Sequence, residues 1–167
     1  MPNGNLVSCS FDTTINVWDL ARGECLKALK GHSSEVCCIV LLRNGQLASG
    51  SLDKTIKIWN MESGECIKRL QGHSDYTWRL QQFKSGEIVS CSGDKTIKIW
   101  DPTKGSCTKT LIGHTSGVTS IRINSQNNTL VSCSHDGTIK TWDSKTGDCI
   151  NTITDLHGGQ RWDLILI

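Results

Sequence analysis

The chain of 167 residues is long enough to bury one hydrophobic core, and its 37% hydrophobic and 20% charged residues are ordinary for a globular protein. Its net charge of +2 offers no long-range attraction for nucleic acid or for an anionic membrane surface. The sequence has no apolar run of membrane-spanning length and no basic segment followed by an apolar stretch at its start, so we expect neither a membrane span nor a signal peptide.

Strand-like segments and turns alternate from the first residues onward. NLVSCS, TTINVWD and CLKAL predict three strands within residues 1–30. Further along, TIKIWN, TIKIWD and TIKTWD alternate β-branched or aromatic residues with polar ones, which is the pattern of a half-buried strand. Turn sequences such as RNGQ, LDKT, SGDK and HDGT separate the strands. Proline occurs twice and no helical periodicity is sustained, so the sequence predicts an all-β protein.

A repeat with a nearly constant period runs through the whole chain. The pairs Gly31-His32, Gly72-His73 and Gly113-His114 are equally spaced. Tryptophans recur at the same spacing, with one extra residue before the last of them, at Trp18, Trp59, Trp100 and Trp142. A fixed period of roughly 40 residues indicates an array of similar structural units, each packed on its neighbours.

The nine cysteines follow the same repeat. Four of them recur with the spacing of the tryptophans, at Cys25, Cys66, Cys107 and Cys149. Others stand inside the repeated triplet Ser-Cys-Ser, and no C-x-x-C pair occurs. Cysteine serves well as a small buried hydrophobic residue, so we expect reduced thiols packed in strands rather than disulfides or metal ligands. Reduced thiols favour a cytoplasmic location.

These motifs resemble those of the WD-repeat family, whose units of 40 to 45 residues pair Gly-His with Trp-Asp. WDL, WDP and WDS end three units and WNM ends the fourth. The resemblance implies a β-propeller with four blades in this chain, each of four strands, a to d. The blades are expected at residues 1–30 (strands b to d of blade 1, with strand a from residues 157–167), 31–71, 72–112 and 113–156.

The final segment LHGGQRWDLILI aligns without a gap with GHSSEVCCIVLL, GHSDYTWRLQQF and GHTSGVTSIRIN, and so predicts a further strand a. It brings the total to sixteen strands, four blades in phase. Four blades closing alone must each turn by about 90°, whereas a ring of eight needs only about 45° per blade. We therefore expect a half-propeller, two copies of which form an eight-bladed ring with strand a exchanged. The alternatives are a self-closed four-bladed monomer and a fragment of a longer WD-repeat protein.

Histidine, serine, aspartate and tryptophan recur together in every unit, which argues against an enzyme, since an enzyme needs one site. No G-x-S-x-G motif, phosphate-binding glycine loop or metal-ligand spacing occurs, so we expect no cofactor and no metal. The resemblance implies instead a hydrogen-bonded structural network in each blade. Its members are His32, Ser49, Asp53 and Trp59; His73, Ser90, Asp94 and Trp100; His114, Ser132, Asp136 and Trp142; and Ser8, Asp12 and Trp18 with His157.

In WD-repeat proteins, partners commonly contact the narrow face through three positions per blade. Mapped onto this chain, these are Glu35, Cys37 and Leu52; Tyr76, Trp78 and Gly93; Gly117, Thr119 and His135; and Gln160, Trp162 and Phe11. Trp78 and Trp162 depart from the repeat and are candidate anchors for a protein or peptide segment, with Glu35 adding negative charge. The same tryptophans also suit a merely space-filling role at the channel rim. The favoured function is an interaction scaffold, and the alternative is a purely structural assembly module.

Overall fold

The computed structural model describes residues 4–124, 126–154 and 164. The described residues form fifteen β-strands and no helix. The strands are β1 (Leu6–Cys9), β2 (Ile15–Asp19), β3 (Glu24–Leu29), β4 (Val36–Leu41), β5 (Leu47–Ser51), β6 (Ile56–Trp59), β7 (Cys66–Leu70), β8 (Thr77–Gln82), β9 (Ile88–Ser92), β10 (Ile97–Asp101), β11 (Ser106–Leu111), β12 (Val118–Asn124), β13 (Thr129–Ser134), β14 (Thr138–Asp143) and β15 (Cys149–Thr154).

The strands form four antiparallel sheets in chain order. Sheet 1 contains β1 to β3, sheet 2 β4 to β7, sheet 3 β8 to β11 and sheet 4 β12 to β15, and each strand pairs with the next along the chain. The predicted all-β class with blade-like sheets is confirmed. The predicted sixteenth strand, residues 157–167, lies outside the described residues apart from Leu164. In the described part of the chain, no helix long and apolar enough to cross a membrane is present.

Short polar side chains close the turns between the third and fourth strands of the sheets. The Oδ1 atom of Asp101 accepts hydrogen bonds from the backbone N–H groups of Thr103 at 2.8 Å and Lys104 at 3.1 Å. Asn60 does the same in sheet 2, where its amide oxygen accepts from Glu62 N at 2.8 Å. An amide oxygen is as good an acceptor here as a carboxylate, which explains why WNM replaces Trp-Asp without loss of the turn.

The core lies between neighbouring sheets. Strand β4 packs beside β8, and β8 beside β12, so the sheets are stacked side by side through their first strands. The tryptophan of each later sheet fills the layer shared with the sheet before it, as Trp100 does among Ile56, Ile58 and Leu70 of sheet 2. Each buried leucine or isoleucine contributes roughly 1.5–3 kcal/mol to folding. The described residues show no comparably extensive contact between sheet 4 and sheet 1.

Two consecutive glutamines join three sheets at the end of β8. The Oε1 atom of Gln82 accepts from the backbone N–H of Arg43 in sheet 2 at 2.9 Å. The Oε1 atom of Gln81 accepts from the backbone N–H of Ile123 in sheet 4 at 2.8 Å. Adjacent residues of a strand point to opposite faces of the sheet, so one dipeptide reaches both neighbours.

Candidate functional site

Four polar side chains of sheet 3 are hydrogen-bonded in a row. Asp94 Oδ2 lies 2.7 Å from His73 Nδ1, and His73 Nε2 lies 2.7 Å from Ser90 Oγ. The indole N–H of Trp100 donates to the same Ser90 Oγ at 2.8 Å. Ser90 has no exposed surface and His73 is 8% exposed. The row thus runs from the surface turn into the core.

The two carboxylate oxygens of Asp94 make different contacts: one closes a turn and the other holds the histidine of the row. Asp94 Oδ1 accepts from the backbone N–H and the hydroxyl of Thr96, at 2.9 and 2.6 Å, and so closes the turn between β9 and β10. Asp94 Oδ2 accepts from Ser74 N at 3.0 Å and contacts the histidine. Lys95, between them, has a φ of 71°, the conformation that such a turn requires.

One arrangement of hydrogens pairs every atom of the row. With a proton on Nδ1, His73 donates to Asp94 and accepts at Nε2 from the Ser90 hydroxyl, whose oxygen in turn accepts from Trp100. The serine oxygen is thus held by two partners inside the core. Because a nucleophile must reach a substrate, this serine is placed for structure and not for attack.

The same row recurs in two other sheets. His32, Ser49, Asp53 and Trp59 are joined in sheet 2, and His114, Ser132, Asp136 and Trp142 in sheet 4, with all three links of each row between 2.7 and 2.8 Å. In sheet 1, Trp18 Nε1 donates to Ser8 Oγ at 2.8 Å, and Asp12 closes its turn through Thr14 at 2.9 Å. His157, predicted to complete this row, lies outside the described residues.

Burial and hydrogen bonding together set the pKa values of the histidines and aspartates in these rows. Burial lowers the pKa of His32 and His114 below the ordinary 6.5, and the hydrogen bond and negative charge of the partner aspartate do not fully offset it. Burial alone would raise the pKa of Asp94, but the hydrogen bonds from His73 and Thr96 outweigh it and hold that pKa well below its ordinary 3.8. At neutral pH, His32 and His114 are therefore neutral beside the ionised Asp53 and Asp136.

The predicted partner-contact positions meet in pairs at the end of the sheets where the rows begin. In sheet 2, Leu52 N donates to Glu35 O at 2.9 Å, and in sheet 3, Gly93 N donates to Tyr76 O at 3.0 Å. His135 N likewise donates to Gly117 O in sheet 4, at 2.9 Å. We call this end the binding-face end. Each pair joins the linker before a sheet's first strand to the turn after its second strand.

In sheets 2, 3 and 4, the third predicted position is the extra residue of a β-bulge. Thr77 pairs with Ser92 and Arg79 with Cys91, which leaves Trp78 without a ladder partner. Cys37 and Thr119 occupy the same place in β4 and β12. A bulge redirects its side chain out of the regular alternation. Thr119 is nevertheless only 7% exposed, with its hydroxyl 3.4 Å from Cys133 O, so it offers little surface to a partner.

Tyr76 and Trp78 form the most prominent aromatic feature of the binding-face end. Their rings meet edge to face, with centroids 5.8 Å apart and planes at 83°. Tyr76 is 41% exposed, whereas Trp78 is half-buried and packs against the core between sheets 3 and 4. Trp78 thus fills space at the edge of the core, which is one of the two roles that the sequence left open, and Tyr76 offers the more accessible ring. Phe11 is the most exposed aromatic at this end, at 73%.

Sheets 3 and 4 approach each other closely beside these rings. A β-carbon placed on Gly117 would stand 3.3 Å from Gly93 Cα, and one on Gly93 would stand 2.7 Å from an Asp75 carboxylate oxygen. The two predicted glycines are therefore packed closely together, and the Asp75 carboxylate lies directly against Gly93. Sequence reasoning missed Asp75, although this aspartate stands at the position where two other units have Ser34 and Ser116.

Two further predicted residues show how charge is distributed at this end. The Ser34 hydroxyl donates to Glu35 and lowers the pKa of that carboxyl, which is therefore ionised at neutral pH. Burial, with added effects from Cys9 and Glu35, raises the pKa of the Cys37 thiol to about 11, so Cys37 is neutral. Gln160 and Trp162 lie outside the described residues. Among the residues that are described, no cluster of three or more metal-ligating side chains is present.

The chain is similar to known proteins over lengths that differ between them. The family model described as "WD domain, G-beta repeat" matches residues 1–19, 23–60, 64–101 and 105–143. Curated relatives include Mitochondrial division protein 1 of Phaeosphaeria nodorum (50% identical over 38 residues), of Mycosarcoma maydis (53% over 38) and of Aspergillus clavatus (45% over 38). Each alignment covers 23% of this chain and only 5–6% of the relative. These similarities are about one repeat long.

Proposed function

The chain belongs to the WD40 repeat family, and from that premise we propose that it is a non-enzymatic scaffold that binds a protein or peptide segment at its binding-face end. Domains of this family generally serve as protein-interaction scaffolds and are generally not catalytic. The observation that carries the proposal is the exposed Tyr76 ring, which meets Trp78 edge to face beside the Asp75 carboxylate. Aromatic rings that are held in place by a neighbouring side chain and remain accessible at the surface are typical binding anchors.

The chemistry at this end defines the kind of segment that fits. Tyr76 and Trp78 suit an apolar side chain or the stem of arginine or lysine, which also interacts favourably with a ring face. Asp75 and Glu35 add carboxylates on the same end. We therefore propose a segment with an apolar or basic anchor residue. Phe11, with its 73% exposure, extends the apolar surface on sheet 1.

The proposal further includes pairing of two copies into an eight-bladed ring, no nucleic-acid or membrane partner, and a cytoplasmic location. The net charge of +2 supports the absence of a nucleic-acid or membrane partner. The nine cysteines are all free, which supports a cytoplasmic location, because free thiols persist in a reducing compartment.

The test uses a displayed library of random peptides selected against the whole chain. A selected peptide is then titrated against Tyr76→Ala and against Leu41→Ala, whose side chain is equally exposed, at 44%, but stands at the other end of strand β4. We expect Tyr76→Ala to weaken binding by more than tenfold and Leu41→Ala to leave it unchanged, with both variants melting like the parent. A peptide that binds Tyr76→Ala with unaltered affinity would place the site elsewhere. Trp78→Ala serves as a second variant and is interpreted only at temperatures where it remains folded, because Trp78 packs on the core.

A further inference from the structure

The last strand of each of the first three sheets ends in a leucine that the next sheet covers. Leu29, Leu70 and Leu111 are 1%, 0% and 1% exposed. Leu29 lies in one core layer with Trp59 of sheet 2, and Leu111 lies in another with Trp142 of sheet 4. Each layer thus pairs a donating face, which carries the leucine, with a receiving face, which carries the tryptophan.

A lysine two residues before each leucine reinforces the same contact. Lys68 Nζ donates to Pro102 O at 2.8 Å and also to Thr103 O, both in a turn of sheet 3. Lys27 and Lys109 make the equivalent bonds to sheets 2 and 4, to Met61 O at 3.3 Å and Ser144 O at 2.9 Å. We call each of these contacts a lysine latch. Hydrogen bonds from a charged donor are stronger than neutral ones.

The glycine in each receiving turn lies beneath the lysine stem. A β-carbon on Gly64 would stand 2.9 Å from Lys27 Cδ, and one on Gly147 would stand 3.2 Å from Lys109 Cδ. The lysine stem therefore fits closely in two of the three layers, and in the third a β-carbon on Gly105 would stand at an ordinary contact distance of 3.8 Å from Lys68 Cδ.

Sheet 4 presents a donating face that no described sheet covers. Ile153 occupies the position of the three buried leucines and is 54% exposed. Ile139 is partly exposed, whereas its equivalents Ile56 and Ile97 are buried. Asn151 stands where the three latch lysines stand, and its side-chain oxygen accepts from Thr152 N at 2.8 Å.

Sheet 1 presents the matching receiving face. Trp18 is half-buried, whereas its three equivalents are at most 1% exposed. The receiving turn is open as well, because a β-carbon on Gly23 would meet nothing within 4 Å and Leu20 is 63% exposed. The two uncovered faces are thus the two halves of one interface that occurs three times inside the chain.

We infer that the donating face of sheet 4 packs on the receiving face of sheet 1 in a second copy of this chain, and that Asn151 makes this seam weaker than the internal contacts. A second copy supplies both missing halves at once, and a two-fold arrangement closes the pair with two identical seams. Each seam lacks the lysine hydrogen bonds of the three internal contacts, so the pair dissociates on dilution while each copy remains folded. The inference rests on the paired ring of the proposed function and identifies its contact surface.

The test is the mass of the whole chain in solution, measured by light scattering and sedimentation over a dilution series. We expect twice the 18.4 kDa of one chain at high concentration and a single-chain mass on dilution. Ile153→Asp abolishes pairing, because it buries a carboxylate at each seam. Asn151→Lys lowers the dissociation constant on the order of tenfold or more, because it restores the latch at two seams.

Ile150→Asp is the matched control. Ile150 is the bulge residue of the same strand and is 58% exposed, and its equivalents Leu26 and Ile67 stay 49% and 42% exposed although their sheets have a covered donating face. We expect it to pair as the parent does. A single-chain mass at every concentration, a mass above two chains, or pairing that survives Ile153→Asp overturns the inference. A folded monomer that still binds the selected peptide would overturn this inference alone, and a dimer that binds no peptide would overturn only the binding proposal.

Discussion

The indole N–H of Trp100 donates a hydrogen bond of 2.8 Å to the hydroxyl of Ser90, and both side chains are at most 1% exposed. This bond anchors a row of polar groups inside a layer that is otherwise apolar. A buried polar group that loses its partner cannot regain one from water, so the rows make each sheet depend on side chains distant in sequence.

The first prediction concerns that hydroxyl. Ser90→Ala removes the partner of both Trp100 and His73, and we expect it to lower the free energy of unfolding by about 1–3 kcal/mol. Ser8→Ala, in sheet 1, is the comparison, because Trp18 is only half-buried and water can replace the serine there. Its expected loss is below about 1 kcal/mol. Urea unfolding measures both variants, and equal losses would contradict the role assigned to burial.

The second prediction concerns pH. The pKa values of His32 and His114 are lowered in the folded chain, so the unfolded chain binds more protons below the ordinary value of 6.5. The contribution of these two histidines to the free energy of unfolding is therefore complete above pH 6.5. It falls as the pH drops from there towards their folded-state pKa values. A second loss begins below 3.8, because the pKa values of Asp53, Asp94 and Asp136 are also lowered.

Thermal melting between about pH 7.5 and pH 3 checks this two-step loss. Proton NMR of the histidine rings checks its cause, with titration midpoints expected below 6.5 for His32 and His114. A melting temperature that stays constant from pH 7.5 to 5, or midpoints at or above 6.5, would refute the assignment.

The third prediction concerns the glycine before each histidine. Gly72 has a φ of 154°, and a β-carbon there would stand 3.2 Å from Trp100 Cη2. Gly86, with a φ of 104°, would meet nothing within 4 Å. Alanine at either site strains the backbone by about 1–2 kcal/mol, but only Gly72→Ala also displaces a packed indole, at a further cost of about 1–3 kcal/mol. Calorimetry should show a lower melting temperature for Gly72→Ala than for Gly86→Ala. Equal destabilisation would mean that the contact with the tryptophan adds no cost.

The fourth prediction is a stabilising substitution. Thr77 is fully buried, and its hydroxyl has no hydrogen-bond partner among the described residues. The equivalent residues of sheets 2 and 4 are Val36 and Val118, both at most 2% exposed. Thr77→Val keeps the shape and removes the unsatisfied hydroxyl, so we expect a gain of about 1–2 kcal/mol in urea unfolding. Val36→Thr is the reverse control and should destabilise by a similar amount.

The fifth prediction concerns the thiols. Burial raises the pKa of Cys38 and Cys91 far above the ordinary 9.0, so neither forms a thiolate at neutral or mildly alkaline pH. Cys25, Cys66 and Cys149 are exposed. Iodoacetamide should therefore modify the exposed group first, the partly buried Cys38 more slowly, and the fully buried Cys91 only after denaturant is added. Peptide mass spectrometry reports the order, and early modification of Cys91 in the native protein would argue against its burial.

The residues of the repeat were sufficient to predict much of this structure. Each strand buries alternate side chains, each turn needs a short acceptor, and each unit must cover its apolar face with a neighbour. These local and nearest-neighbour requirements leave a period in the sequence that can be counted. For the same reason, the pairs at the binding-face end lie where the repeat placed them, since they depend on turns that recur in every unit.

Other properties depended on distances that no period records. The partial burial of Trp78 and the carboxylate of Asp75 beside Gly93 arise where sheets 3 and 4 approach each other. Likewise, Asn151 looks like a minor departure in the sequence until three lysines are seen reaching across to the next sheet. Sequence determined which groups repeat, because hydrogen bonding and strand packing are local. Tertiary structure decided which of these groups are covered, because burial depends on the neighbouring sheet.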